Sequence, residues 1–173
     1  MLTGEYNVTL DDMGRISLPR RLRDNLGNNN LVLRRCDDGC IWLFTADEWK
    51  KVEHDIVNKT NIYSSSDLAL RRNYAITSVE IDKQGRIVIT PPLRAHAGLV
   101  KECIVLGQFE YIEIWAEDRY ISYLESSKEQ YRAASEELSA KIKKEKDKGN
   151  GGDSALAGTA GANSGVPGAE GQP

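Results

Sequence analysis

Leu10-Asp11-Asp12-Met13-Gly14-Arg15-Ile16 returns as Ile81-Asp82-Lys83-Gln84-Gly85-Arg86-Ile87, 71 positions further along the chain. The same offset carries Val8 onto Val79, Leu22-Arg23 onto Leu93-Arg94, Gly27 onto Gly98, Ile41 onto Ile112 and Asp47 onto Asp118. Chemically similar pairs fill the gaps, among them Leu18 with Ile89, Leu33 with Ile104, Phe44 with Trp115 and Trp49 with Tyr120. Constant register and matched chemistry over about forty positions mark an internal repeat, two diverged copies of one small module.

Each copy reads as strand, tight turn, strand, short helix, two strands and helix. Tyr6-Asn7-Val8-Thr9-Leu10 and Arg15-Ile16-Ser17-Leu18 alternate polar with apolar residues, as half-buried strands do. Between them, Asp11 can accept hydrogen bonds from amides further along the turn, and Gly14 supplies the positive φ that the turn requires. Pro19 suits the first turn of a helix through Leu26, which Gly27 ends; Thr90 as N-cap, Pro91, Pro92 and Gly98 take these parts in the second copy. Leu31-Val32-Leu33 and Ile41-Trp42-Leu43-Phe44 are further strands, matched by 103–106 and 111–115. Thr45-Ala46-Asp47-Glu48 then opens a helix with a capping box, and Trp49, Val52 and Ile56 share one face of it. A single copy would leave sheet edges bare and bury too little, whereas two copies closing on each other remove both problems. The expected class is α+β, mainly β, with flanking helices.

At 173 residues and 40% hydrophobic content, most apolar side chains must share one core. The net charge of -3 argues against binding a polyanion through bulk charge, so any nucleic-acid contact must be local. No apolar run approaches the roughly 20 residues that span a bilayer, and the N-terminus carries no signal-like apolar core. A cytoplasmic protein with no membrane partner is expected. Cys36 and Cys40 flank an Asp37-Asp38-Gly39 turn that sets their thiols across facing strands; with Cys103 they make an odd count, unsuited to a disulfide framework and short of a zinc ligand set. The organisation expected is a first module over 1–57, a linker with a short helix over 58–73, a second module over 74–123, a C-terminal helix over 124–148 and a disordered Gly/Ala/Ser-rich tail over 149–173.

Nothing in the chain resembles a catalytic set. His54 and His96 lack partners for a metal or nucleophile site, and no phosphate-cradling glycine loop occurs. No enzymatic activity and no cofactor are expected. What remains is arginine at the turns: Arg15 and Arg86 directly follow the turn glycines, where a planar guanidinium suits bidentate contact with phosphate or a guanine edge. Arg20, Arg21 and Arg23 follow in copy one, and Lys83, Arg94 and Lys101 occupy the matching region of copy two. Formal charge is +2 over 11–23 and +3 over 82–101, basic islands in an acidic chain. From these residues alone two readings stay open with equal weight. Asp11 with Arg15 and Asp82 with Arg86 either staple their turns or present arginine to a ligand, with Gly14 and Gly85 shaping the turns in both cases.

The segments 10–19, 81–87, Leu93-Arg94-Ala95-His96-Ala97-Gly98-Leu99 and Gly107-Gln108-Phe109-Glu110-Tyr111-Ile112-Glu113-Ile114-Trp115, in this order, resemble the bacterial MraZ family of transcriptional regulators over about residues 1–145. The resemblance implies two tandem AbrB/SpoVT-like swapped-hairpin half-barrels that form one pseudo-dimeric β-barrel. It implies a ring-shaped homo-oligomer at the nucleoid. It further implies binding to repeated double-stranded DNA elements upstream of the division and cell-wall genes, including the chain's own gene, usually as a repressor. The family signature maps onto Asp11, Arg15, Asp82 and Arg86, with the arginines facing DNA. Arg20, Arg21, Arg23, Lys83 and Arg94 then neutralise phosphates or stay structural. Met13 stands where family members often carry lysine, and the tail is an addition. The alternative from another class is an oligomeric protein-interaction scaffold that works through the charged C-terminal helix without reading DNA.

Overall fold

The computed structural model describes residues 1–27, 29–59 and 75–149. Most of the linker expected over 58–73, its short helix included, and the tail from 150 onward lie outside the described residues. In chain order the elements are β1 (Leu2–Thr9), β2 (Arg15–Ser17), α1 (Arg20–Leu26), β3 (Asn30–Arg35), β4 (Ile41–Thr45), α2 (Ala46–Lys59), β5 (Thr77–Glu80), β6 (Arg86–Val88), α3 (Pro91–Ala97), β7 (Glu102–Phe109), β8 (Tyr111–Ala116) and α4 (Glu117–Gly149). Residues 1–127 form one compact unit and 128 onward a second.

Local chemistry sets the helix ends. Gly27 and Gly98 end α1 and α3 in the left-handed region, with φ of 75° and 64°. Thr90 does sit at the N-cap of α3, but its side chain caps nothing; its carbonyl accepts from Leu93 and Arg94. Pro91 and Pro92 bring no N–H, so two of the donors a cap would serve are missing. At α2 the Thr45 hydroxyl accepts the Glu48 amide at 3.2 Å, as the capping pattern requires.

The strands form a six-stranded antiparallel sheet, ordered β1-β7-β8-β4-β3-β5, and a two-stranded ribbon, β2-β6. Among the described residues only β3–β4 and β7–β8 are local hairpins; β1–β7, β2–β6, β3–β5 and β4–β8 each join one half of the chain to the other. The turn at Asp11 therefore reverses the chain without making a local hairpin. The eight residues of β1 find eight paired positions on β7, more than the three-residue β2 offers. In the ribbon Arg15 faces Val88, Ile16 faces Ile87 and Ser17 faces Arg86, so exchanging the halves maps the ladder onto itself. The β4–β8 ladder behaves alike, centred on Trp42 and Glu113.

The offset of 71 holds for β2 with β6, α1 with α3, and the starts of α2 and α4, but not for β3 with β7. Leu31 opposite Thr45 corresponds to Cys103 opposite Ala116, and Leu33 opposite Leu43 to Val105 opposite Ile114, an offset of 72. The pairing of Leu33 with Ile104 read from the sequence is thus one residue out. The extra residue lies in the loop 98–101, and the hairpin returns it: Arg35 and Ile41 enclose five residues where Gly107 and Ile112 enclose four. A one-residue slip in a strand flips every side chain, and the adopted register keeps Leu31, Leu33, Cys103 and Val105 in the shared core.

That core packs Leu10, Ile16, Leu18 and Leu22 of the first half with Ile87, Ile89 and Leu93 of the second, all buried. Each such side chain contributes about 1.5–3 kcal/mol on burial. Elsewhere α2 brings Trp49 onto Val32 and Phe44, and Tyr120 and Tyr123 of α4 pack with Ile104, Leu106 and Trp115. Trp49 and Trp115 are buried, in keeping with packing roles; Trp42 is partly exposed, with the Arg34 guanidinium 4.6 Å above its ring. From 128 to 149 the second unit is helical, with pairs Arg132–Glu136 and Lys141–Glu137 along its surface and Tyr131, Leu138 and Ile142 exposed. Among the described residues no helix is long and apolar enough to cross a membrane.

Candidate nucleic-acid interface

Each turn is built around its aspartate. In the first, Asp11 Oδ1 accepts the amides of Met13 (3.0 Å) and Arg15 (2.8 Å), and Oδ2 accepts Arg15 Nε at 2.7 Å. The backbone closes the loop: Gly14 N–H donates to the Asp11 carbonyl and Asp11 N–H to the Arg15 carbonyl, both at 2.9 Å. Gly14 lies at φ 74°. The second turn repeats this, with Asp82 Oδ1 taking the amides of Gln84 (2.8 Å) and Arg86 (2.9 Å) and Oδ2 taking Arg86 Nε at 2.8 Å. Arg86 goes further, bringing Nη2 to 2.7 Å from Asp82 Oδ2 and donating to Gln84 Oε1. Met13, the counterpart of Gln84, offers only a weakly accepting thioether and stands 71% exposed.

These contacts stabilise the charged carboxylates. The Arg15 amide foremost, with its guanidinium, holds Asp11 below the ordinary carboxylate value; the Arg86 side chain foremost, with its amide, pulls Asp82 down to about 2. An exposed ion pair alone contributes only about 0–1 kcal/mol. Here one carboxylate also ties two amides, so the pair fixes the turn backbone and the root of the arginine together.

The ribbon β2–β6 sets the two arginines side by side. Ile16 and Ile87 fill the core, so Arg15, Ser17, Arg86 and Val88 share the opposite face. Standard strand geometry puts the Arg15 and Arg86 Cα atoms about 8 Å apart. The ribbon is extended by bonds from Leu18 N–H to the Gly85 carbonyl (3.0 Å) and from Ile89 N–H to the Gly14 carbonyl (2.8 Å), so each turn also hangs on the other half.

The remaining sequence candidates divide into two kinds. Arg20, loosely paired with Asp24 at 3.6 Å, Arg21 and Lys83 are exposed. Arg23 and Arg94 are partly buried and lie against the turns of the opposite halves. Arg23 Nε donates to the Leu18 carbonyl at 2.9 Å while its guanidinium rests on Gly85; Arg94 rests on Gly14. Sequence reading placed both among the basic islands and missed this crossing. Their equivalence at offset 71 was visible, but not which turn each would touch. His96, which the sequence left without a metal or nucleophile partner, has its Nε2 2.8 Å from the Cys36 carbonyl. Cys36, Cys40 and Cys103 are free and buried, and the described residues hold no metal-ligating cluster.

A family model described as "MraZ protein, putative antitoxin-like" matches residues 1–72 and 75–142, covering both turns and their supporting helices. The chain belongs to the MraZ family. Its similarity to individual MraZ proteins is equally broad. It is 41% identical over 139 residues to the transcriptional regulator MraZ of Treponema denticola, covering 79% of this chain and 96% of that protein. It is 38% identical over 139 residues to that of Lactobacillus helveticus (80% and 96%), and 36% identical over 138 residues to that of Treponema pallidum strain Nichols (79% and 93%).

Proposed function

We propose that this MraZ-family chain is a transcriptional regulator that binds double-stranded DNA sequence-specifically through Arg15 and Arg86. The observation that carries the reading is the β2–β6 ribbon, whose core face is isoleucine and whose outer face holds both arginines at fixed roots. A major groove is wide enough to admit a two-stranded ribbon, and arginine pairs bidentately with guanine O6 and N7. Arg20, Arg21 and Lys83, exposed near the turns, serve phosphates.

The finer reading is a swapped-hairpin pseudo-dimer, supported by ladders that cross between the halves, acting within a ring-shaped homo-oligomer. A chain of net charge -3 gains little from bulk attraction, whereas several subunits presenting paired arginines to repeated elements gain by avidity. The targets proposed are repeats upstream of the division and cell-wall genes, including its own, with repression as the outcome at the nucleoid. Footprinting on DNA upstream of its own gene tests this, together with sedimentation of the free protein. Protected, regularly spaced repeats and an oligomer are expected; uniform protection, or equal affinity for a scrambled fragment, overturns the reading.

A further inference from the structure

We propose that Arg23 and Arg94 are positioning residues that act across the two halves. Arg23 of α1 sets the pose of the Arg86 turn, and Arg94 of α3 sets that of the Arg15 turn. This rests on the DNA-binding reading of Arg15 and Arg86, and adds that each reading turn is held by the half that does not contain it.

Three observations converge, and a fourth separates the two clamps. A Cβ placed on Gly85 would collide with the Arg23 guanidinium, at 2.5 Å from Cζ and 2.8 Å from Nε; one placed on Gly14 would meet Arg94 at 3.0 Å from Cζ and 3.2 Å from Nε. Each turn glycine thus leaves room for a planar cation from the other half. Next, Arg23 is anchored, since Nε donates to the Leu18 carbonyl at 2.9 Å while the Leu18 amide donates to the Gly85 carbonyl at 3.0 Å. Leu18 therefore joins clamp and turn in one short circuit. In the reciprocal place Ile89 N–H bonds the Gly14 carbonyl, but Arg94 Nε is buried without a partner among the described residues. Last, both guanidinium groups lie against the glycine that directly precedes the reading arginine, so displacing the clamp shifts the backbone that carries Arg86 or Arg15.

Arginine suits this task where lysine does not. At Gly85 the flat Arg23 guanidinium covers the glycine and still donates sideways from Nε, whereas an ammonium is a point charge without a fixed donor direction. A phosphate contact, by contrast, tolerates lysine.

The test uses the full chain with DNA upstream of its own gene, a scrambled fragment, and single-base substitutions across the protected element. Arg23→Ala should lose about tenfold in discrimination at the base positions lost in Arg86→Ala, and Arg94→Ala at those lost in Arg15→Ala. Arg23→Ala combined with Arg86→Ala should be no worse than Arg86→Ala alone, while combined with Arg15→Ala the losses should multiply. Arg23→Lys should not restore discrimination, and the slope of affinity against salt should stay unchanged in both Arg23 variants. Rescue by lysine, a salt slope reduced by about one, or loss at the positions of the same-half arginine overturns the proposal. A readout without DNA guards against misfolding and against failure of the DNA reading itself. In Arg23→Lys the Gly85 amide resonance should shift while that of Gly14 stays, and the reverse should hold in Arg94→Lys. If the unmodified chain does not prefer its own upstream DNA, the DNA reading fails, and the amide pattern still decides the crossing.

Discussion

In the first turn Arg15 reaches Asp11 through Nε, an exposed Met13 stands beside it, and the guanidinium resting on Gly14 belongs to an Arg94 whose buried Nε has no partner among the described residues. In the second, Arg86 meets Asp82 through Nε and Nη2 and also Gln84, and the guanidinium on Gly85 belongs to an Arg23 anchored on the Leu18 carbonyl. The backbones are the same in every closing hydrogen bond. A repeated motif therefore secures the shape of a turn, while its neighbours decide how firmly the arginine is held. The second turn holds its arginine preorganised; the first keeps its guanidinium freer and sets an apolar tip, Met13, beside the acidic Asp12 where the second has Gln84 and Lys83.

The largest expected effect that breaks this comparison is on the glycines. Gly85→Ala forces an alanine to φ near 80° and displaces Arg23, while Gly14→Ala meets only looser contacts at 3.0 Å and beyond. Left-handed backbone costs a non-glycine residue about 1–3 kcal/mol, and the collision adds to it at Gly85. Denaturant unfolding should show Gly85→Ala as the less stable of the two; the opposite order contradicts the tighter packing of the second turn. Next comes binding. Arg86→Ala should cost about 1–3 kcal/mol of specific affinity, more than Arg15→Ala, in titrations against the footprinted element. Equal losses would make the turns equivalent despite their surroundings.

A smaller effect sharpens the comparison. Gln84→Met removes the second acceptor of Arg86 and should weaken specific binding by about 0.5–1.5 kcal/mol, the net worth of one hydrogen bond, with thermal stability nearly unchanged. Met13→Gln offers Arg15 the missing acceptor and should narrow the gap between the turns. The smallest effect is pH-dependent. Asp82 titrates near 2 in the fold against an ordinary 3.8, so its contribution is complete above about pH 4 and is lost as pH falls toward 2. Unfolding of Asp82→Asn and of the parent chain should therefore differ at pH 5 and converge at pH 2; a difference that grows on acidification contradicts the assignment.

Much of the fold was legible because its signals are local. The alternation in 6–10 and 15–18, proline at the start of α3, Gly27 and Gly98 at the helix ends and Asp11 heading its turn all act within a few residues, and they sit where expected. The shift from offset 71 to 72 was not legible. β3 and β7 are apolar on both faces, so Leu31-Val32-Leu33 and Cys103-Ile104-Val105 carry no alternation that fixes register, and loops of unequal length on either side hide the slip.

For the candidate site the division runs the same way. The sequence alone determined that there are two Asp-x-x-Gly-Arg turns, that their glycines need positive φ, and that the basic residues gather near them, because each of these follows from the chemistry of neighbours along the chain. Tertiary structure alone decided that β2 pairs with β6 instead of β1, that Arg15 and Arg86 share one ribbon face, and that Arg23 serves the turn of Gly85 while Arg94 serves that of Gly14. The physical reason is that strand pairing and guanidinium packing are settled by which surfaces bury together in the common core, and two similar halves offer like and unlike partners that the chain order does not distinguish.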